Sequence, residues 1–147
     1  MSAGRVLVVG ALGRMGERVR AALAEHADLE VGGALEVPGH PRIGEEIAPG
    51  VKLSDDAAGA LAGCDAAVVF ANPEGTLSVV RAAAAAGVPC LVGTTGFSPS
   101  KREELEAFAD TIPLVVAANF SVAVNVLFHL ARQAARLLGD DFEAEIV

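Results

Sequence analysis

The period of apolar and polar positions changes several times along the chain, and each change marks an element. Arg5-Val6-Leu7-Val8-Val9 is an apolar β-type run that passes directly into Gly10-Ala11-Leu12-Gly13-Arg14-Met15-Gly16. From about residue 14 to residue 26 the apolar positions recur at helical spacing, with Met15, Val19, Ala22 and Leu23 on one face. A second strand is expected over residues 31–35, with Glu36 at its carboxyl end. Residues 37–50 are rich in proline and glycine and read as a loop. A short helix is expected over residues 55–62, capped by Ser54 or Asp55. Residues 66–70 form a continuous apolar run, the mark of a parallel strand covered on both faces. Asn72-Pro73-Glu74-Gly75 punctuates that run, and residues 76–86 read as a helix stopped by Gly87. A strand over residues 89–92 leads into the loop Gly93-Thr94-Thr95-Gly96-Phe97. Ser98 then caps a helix to about residue 110, with Pro99 in its first turn. Residues 114–117 form another strand, residues 122–138 a long and mostly apolar helix, and residues 141–147 the start of one more strand.

Strict alternation of strands and helices predicts an α/β fold, a Rossmann-type doubly wound parallel sheet with helices on both faces. Residues 1–120 are expected to form that domain, and residues 121–147 a crossing helix and the start of a second one. In such sheets ligands bind beyond the carboxyl ends of the strands. Residues 10–16, 36, 70–74, 93–97 and 117–121 are therefore expected to converge on one cleft.

The first of these segments carries the clearest chemistry. A strand, a turn with glycines at three-residue spacing and a helix together cradle a dinucleotide pyrophosphate. Gly10 permits the tight turn, Gly13 lets backbone N–H groups approach the phosphates, and Gly16 lets the helix pack close to the strand. The phosphates then face the helix N-terminus, where unpaired N–H groups and the macrodipole favour negative charge. Arg14 is placed to reach the pyrophosphate or stack on the adenine, and Met15 is expected to pack under the turn. Glu36 lies twenty residues beyond Gly16, where a carboxylate accepts hydrogen bonds from the adenosine ribose hydroxyls and repels a 2′-phosphate. Val37 follows where an arginine would have welcomed that phosphate, which favours NADH over NADPH. The two hydroxyls and bare backbone of Gly93-Thr94-Thr95-Gly96 suit a nicotinamide carboxamide or a substrate carboxylate.

Composition narrows the classes further. The formal charge of −8 over 147 residues disfavours a nucleic-acid partner. No apolar run reaches the ~20 residues of a membrane span, and the amino terminus lacks a signal-peptide layout, so a cytoplasmic protein is expected. Cys64 and Cys90 read as buried, reduced thiols. His26, His40 and His129 are scattered, and neither a metal site nor an acid–base pair can be assigned from spacing.

Three segments carry a resemblance. Gly10 to Gly16, Gly93-Thr94-Thr95-Gly96-Phe97 and Ala118-Asn119-Phe120-Ser121-Val122-Ala123-Val124-Asn125 resemble the bacterial dihydrodipicolinate (4-hydroxy-tetrahydrodipicolinate) reductases. Phe70-Ala71-Asn72-Pro73-Glu74-Gly75-Thr76 matches another loop of that family, and the likeness runs the length of the chain. It implies NADH- or NADPH-dependent reduction of 4-hydroxy-tetrahydrodipicolinate to tetrahydrodipicolinate, on the route to lysine and diaminopimelate. It further implies that Gly10, Ala11, Leu12, Gly13, Arg14 and Met15 hold the pyrophosphate and that Glu36 holds the ribose. Phe70, Gly93, Thr94, Thr95, Ala117, Ala118, Asn119 and Phe120 would complete the cofactor site, with Thr95 also facing the substrate carboxylate. The family carries an arginine after the ribose-binding acid in many members, where this chain has Val37. Its proton donor and carboxylate clamp, in a Glu-x-His-His-x-x-Lys stretch and an Asp-x-Pro-Ser-Gly-Thr stretch, are expected beyond residue 147, as is most of its tetramer-forming domain. Without that domain, residues 122–138 would offer an apolar stripe for self-association. Two other readings stand beside this one. They are a non-catalytic dinucleotide-binding module and another oxidoreductase of similar fold, such as a homoserine or amino-acid dehydrogenase.

Overall fold

The computed structural model describes residues 3–143 and residue 145. The chain divides into two compact units, Met1–Ala117 and Ala118–Val147. In the first unit the elements run β1 (Gly4–Val9), α1 (Arg14–Glu25), β2 (Leu29–Leu35), β3 (Glu46–Ala48), β4 (Val51–Ser54), α2 (Ala57–Leu61), β5 (Ala66–Val69), α3 (Pro73–Ala86), β6 (Cys90–Val92), α4 (Pro99–Ala107) and β7 (Leu114–Val116). Among the described residues seven strands form one sheet in the order β3-β4-β2-β1-β5-β6-β7, parallel throughout except for the β3–β4 pair. Without the β3 edge this is the strand order of a doubly wound dinucleotide-binding sheet, reversing direction between β1 and β5.

The period of two in β1 sorts its side chains to opposite faces. Leu7 and Val9 join Ala67 and Val69 of β5 on one face, beneath Leu61 of α2, Val80 of α3 and Leu105 of α4. Val6 and Val8 point the other way, with Ala34, Leu53 and Leu23 of α1. Both faces of the central strands are thus covered, which is why those strands read as unbroken apolar runs.

Four expectations need correction. The segment read as a loop over residues 37–50 contains β3, and β4 follows it directly, so β2 reaches β4 without a helix and the alternation is not strict. Both strands are too short to carry a period, and pairing rather than pattern makes them. The buried face of α1 is centred on Gly16 and Leu23 with Val19 beside them. Met15 is 49% exposed and does not pack under the turn. Asp56, not Ser54 or Asp55, caps α2, its carboxylate accepting from the Ala58 N–H at 3.1 Å. Of the strand expected from residue 141, residues 144, 146 and 147 lie outside the described residues; Asp141 closes a 3-10 turn over Gly139–Asp141, and Phe142, Glu143 and Glu145 are not in a strand.

The second unit is built on α5 (Val122–Leu138). Ser121 caps it, accepting from the Val124 N–H at 3.4 Å. Asn125 donates back to the Asn119 and Ser121 carbonyls at 3.1 and 2.8 Å, and the Asn119 side chain accepts from the Ser121 N–H at 2.7 Å. Ala118, Asn119 and Phe120 belong to this leading segment.

Candidate functional site

The site begins where β1 ends. Gly10 adopts a φ of 72°, a left-handed conformation that side chains other than glycine rarely take. A methyl group there would lie 2.2 Å from the Phe70 carbonyl oxygen at the end of β5. The N–H groups of Gly10 and Ala11 both donate to the Leu35 carbonyl at the end of β2, at 2.9 and 3.2 Å. The glycine turn is therefore pinned between β2 and β5, at the point where the strand order reverses.

Gly16 is buried in the first turn of α1, and a methyl group on it would sit 2.1 Å from the Gly10 carbonyl oxygen and 2.8 Å from the Ala11 Cα. Gly13 is different. It has ordinary φ and ψ of −70° and 162°, and a methyl group there would meet the Gly10 carbonyl oxygen at 3.3 Å and nothing else within 4 Å. The fold itself places little demand for glycine at that position. Gly13 is also the N-cap residue of α1 and offers it no side-chain cap, whereas Asp56, Asn72, Ser98 and Ser121 cap α2, α3, α4 and α5. The start of α1 is left bare, with N–H donors available to an acceptor from outside the fold. Arg14 and Met15 are exposed beside it, whereas Ala11 is fully buried, its N–H and carbonyl both bonded within the fold.

Glu36 stands at the end of β2, half-buried. Its Oε1 accepts from the Leu12 N–H at 2.9 Å and its Oε2 from the Val37 N–H at 3.2 Å. Each carboxylate oxygen keeps a second lone pair, so the group can still receive ligand hydroxyls.

Further along the sheet, Gly93 ends β6 against the Phe70 ring; a methyl group on Gly93 would fall 2.0 Å from the ring's Cε1. Thr94 is 5% exposed, and its Oγ1 accepts from the Ala71 N–H at 3.2 Å and shares a 2.7 Å hydrogen bond with Thr76 Oγ1 of α3. Its hydroxyl is spent inside the protein, which leaves only its backbone for a ligand. Thr95 is exposed. Ala117 follows β7, its N–H donating to the Val92 carbonyl at 3.1 Å. Contacts thus link Gly10, Ala11, Leu12, Glu36, Phe70, Gly93, Thr94 and Ala117 across the carboxyl ends of the strands, while Arg14, Met15 and Thr95 stand exposed.

A cleft of about 450 Å³ opens between the carboxyl ends of β1, β2 and β5 and α3; Gly93, Thr94, Thr95 and Ala117 do not line it. Gly10, Gly13, Glu36, Phe70 and Asn72 line it together with Pro38, Asp55, Ala57 and Ser78, which sequence reading did not assign to the site. Asp55 was legible as a helix cap; instead its Oδ2 accepts from the Gly39 N–H at 3.2 Å and orders the loop after β2. Ser78 lies one turn into α3, and no pattern marks it. Glu74 lies at the rim, where a hydrogen bond from Lys101 of α4 holds its carboxyl below the usual carboxylate range. Cys64 and Cys90 are free and buried away from the cleft lining, and burial pushes the Cys90 thiol up to about 11. Among the described residues no group of His, Cys, Asp and Glu is placed to hold a metal ion, and no helix is long and apolar enough to cross a membrane.

Residues 4–120 match the family described as dihydrodipicolinate reductase, N-terminus. The chain is 42% identical over 150 residues to the 4-hydroxy-tetrahydrodipicolinate reductase of Geotalea daltonii, covering 97% of this chain and 56% of that protein. Its similarity to the reductase of the same name from Nitrosomonas europaea is 40% over 148 residues, again 97% of this chain and 55% of the relative. The chain therefore spans about half the length of the curated relatives it matches. Among solved structures, the dipicolinate-bound dihydrodipicolinate reductase of Paenisporosarcina sp. TG-14 shares the fold with a TM-score of 0.77 at 18% identity, over 90% of this chain and 54% of that one. A scyllo-inositol dehydrogenase from Lactobacillus casei (TM-score 0.67, 17% identity, 90% and 42% covered) shares it too. So does the Rex-family repressor RSP (0.61, 13%, 90% and 59%). Since a repressor and two enzymes share the architecture, fold alone does not choose a function.

Proposed function

The chain belongs to the dihydrodipicolinate reductase family, and from that premise we propose that it is the dinucleotide-binding half of a 4-hydroxy-tetrahydrodipicolinate reductase. The observation that carries the reading is Gly13, a glycine the fold scarcely needs, at the uncapped start of α1 beside the cleft. A bare backbone there is what a pyrophosphate requires. Residues 10–15 would form the cradle for that group, with the N–H groups at the start of α1 donating to it, since those of Gly10 to Gly13 are bonded within the fold. Glu36 would accept from the adenosine ribose while keeping its bond to Leu12. Phe70, Gly93, Thr94, Thr95 and Ala117 would border the nicotinamide, with the Thr95 hydroxyl facing a substrate carboxylate. Bound NADH or NADPH supplies the hydride. The Glu-x-His-His-x-x-Lys stretch that carries the family's proton donor is not among these 147 residues. Residues 121–147 would lead into the domain that bears it. We further assign the protein to the cytoplasm and expect self-association to involve α5.

Titration of the chain with NADH and NADPH, followed by nicotinamide fluorescence, tests the cofactor site. NADH is expected to bind at least as tightly as NADPH, because a 2′-phosphate would face the Glu36 carboxylate with no cation at Val37. Glu36→Ala should weaken NADH by roughly 1–3 kcal/mol, the cost of hydrogen bonds lost in a half-buried site. A clear preference of the parent for NADPH would overturn the assignment of Glu36.

Turnover separates the reductase from a non-catalytic module. Hydride transfer needs substrate held in near-attack geometry and a proton delivered in step. In a coupled assay with freshly generated substrate, these residues are expected to show little or no reductase activity. Supplying the remaining segment of a relative, in cis or in trans, should restore it. Recovery identifies the reductase; binding without recovery identifies the module. A rate from these residues alone comparable with that of a full-length relative would show that the proton donor had been wrongly placed.

A further inference from the structure

We propose that Arg20 is a positioning residue for the phosphate-binding turn, and that it makes the edge strand β3 part of that turn's support; its consequence for affinity rests on the cofactor reading above. Arg20 lies on α1, half-buried, and its guanidinium donates twice. Its Nε reaches the Ala11 carbonyl at 3.0 Å and its Nη1 the Ile47 carbonyl of β3 at 3.1 Å. Ala11 and Leu12 share one peptide group. The carbonyl end of that group is held by the Arg20 guanidinium, and its N–H end, on Leu12, is held by the Glu36 carboxylate at 2.9 Å.

Both bonds are charge-assisted, and they pull on opposite ends of the same dipole. Turning the peptide over would break both and would aim the Ala11 carbonyl oxygen at the Glu36 carboxylate. The turn is therefore locked in one orientation. Gly13 follows Leu12 directly, so the direction of the bare N–H groups at the start of α1 is inherited from this peptide. Because the same guanidinium is anchored on Ile47, a strand that packs little of itself into the core still fixes the turn. Such preorganisation saves a ligand the cost of ordering the turn on binding.

The test compares the parent with Arg20→Met and Arg20→Lys, each as the full 147-residue chain. Amide hydrogen exchange in the ligand-free protein reads the turn directly. In Arg20→Met the Leu12 amide should exchange at least about ten times faster while the β1 amides keep their protection, because the turn loosens without the sheet opening. NADH binding should weaken about ten-fold, equivalent to ~1.4 kcal/mol. Arg20→Lys, which keeps the charge but not the planar fork, should recover part of both effects. Unchanged exchange at Leu12 in Arg20→Met would overturn the proposal. So would protection lost equally at Leu12 and throughout β1, since Arg20 would then be a general brace. If Leu12 exchange responds as expected but the parent binds neither NADH nor NADPH, the positioning role stands and the cofactor reading fails.

Discussion

Gly13→Val is expected to abolish dinucleotide binding and leave the fold standing, while the smaller change Gly16→Ala is expected to damage the fold itself. A side chain on Gly13 points into the space at the start of α1, where its first atom meets the Gly10 carbonyl oxygen at 3.3 Å and nothing else within 4 Å. A shift of a few tenths of an ångström relieves that contact, but the valine methyl groups then fill the space a pyrophosphate would occupy. At Gly16 the first atom falls 2.1 Å from the Gly10 carbonyl oxygen and 2.8 Å from two backbone atoms of Ala11. Those atoms belong to a turn hydrogen-bonded to Leu35 and Glu36 and packed against Phe70, and they cannot step aside. Relief requires α1 to move off the sheet, taking Leu23 out of its core cluster. Overpacking against backbone costs about 3 kcal/mol or more, a large share of the ~5–15 kcal/mol that holds a domain together. Urea denaturation and NADH titration of the two variants check the pair of outcomes. Equal NADH affinity in Gly13→Val and the parent would remove the glycine turn from the binding site, and a Gly16→Ala midpoint close to that of the parent would remove the packing argument.

Thr94→Val is expected to destabilise the protein by roughly 2–3 kcal/mol although it conserves shape. The Thr94 hydroxyl accepts from the Ala71 N–H and pairs with Thr76, and both threonines are shielded from water. Valine leaves a backbone donor and a hydroxyl unsatisfied at once, and each buried orphan carries its own desolvation cost. Thr94→Ser should recover most of the loss. In the double variant Thr76→Val/Thr94→Val the effects should sum to less than the two singles, because the second change removes a group the first had orphaned. The same hydrogen bonds tie the loop after β6 to the loop after β5, so NADH affinity should fall with stability. A loss below ~0.5 kcal/mol in Thr94→Val would mean that water reaches the pair.

How much of this was legible in the sequence depends on whether the information was local. The order of the long elements, the two-sided burial of β5 and the cap at Ser98 follow from period and from single side chains bonding to nearby N–H groups. The location of the candidate cleft was legible for the same reason: parallel strands in a doubly wound sheet present their carboxyl ends to one side, and the residues just after β1, β2 and β5 meet there. Glu36 and the glycine turn were found by that rule.

What the tertiary structure decided are facts about pairs of residues distant in the chain. β3 and β4 are strands because they pair with each other and β4 with β2; three or four residues carry too little period to announce themselves. Thr94 and Thr95 are adjacent and chemically identical, yet one is buried against Thr76 and Ala71 while the other is exposed, and only the packing of α3 on the sheet separates them. Gly10, Gly13 and Gly16 are the same residue at equal spacing. The fold requires the first for its left-handed backbone and the third for its contact with the turn, and places little demand on the second. Arg20 showed nothing in the sequence beyond a charge on a helix; its partners are carbonyl oxygens, which every residue carries, so no pattern of side chains could have marked it. Sequence by itself determined the framework and the side of the sheet on which the candidate cleft lies, because those depend on local period and chain direction. Tertiary structure decided which neighbouring groups are spent on the fold and which remain free for chemistry, because that depends on who meets whom in space.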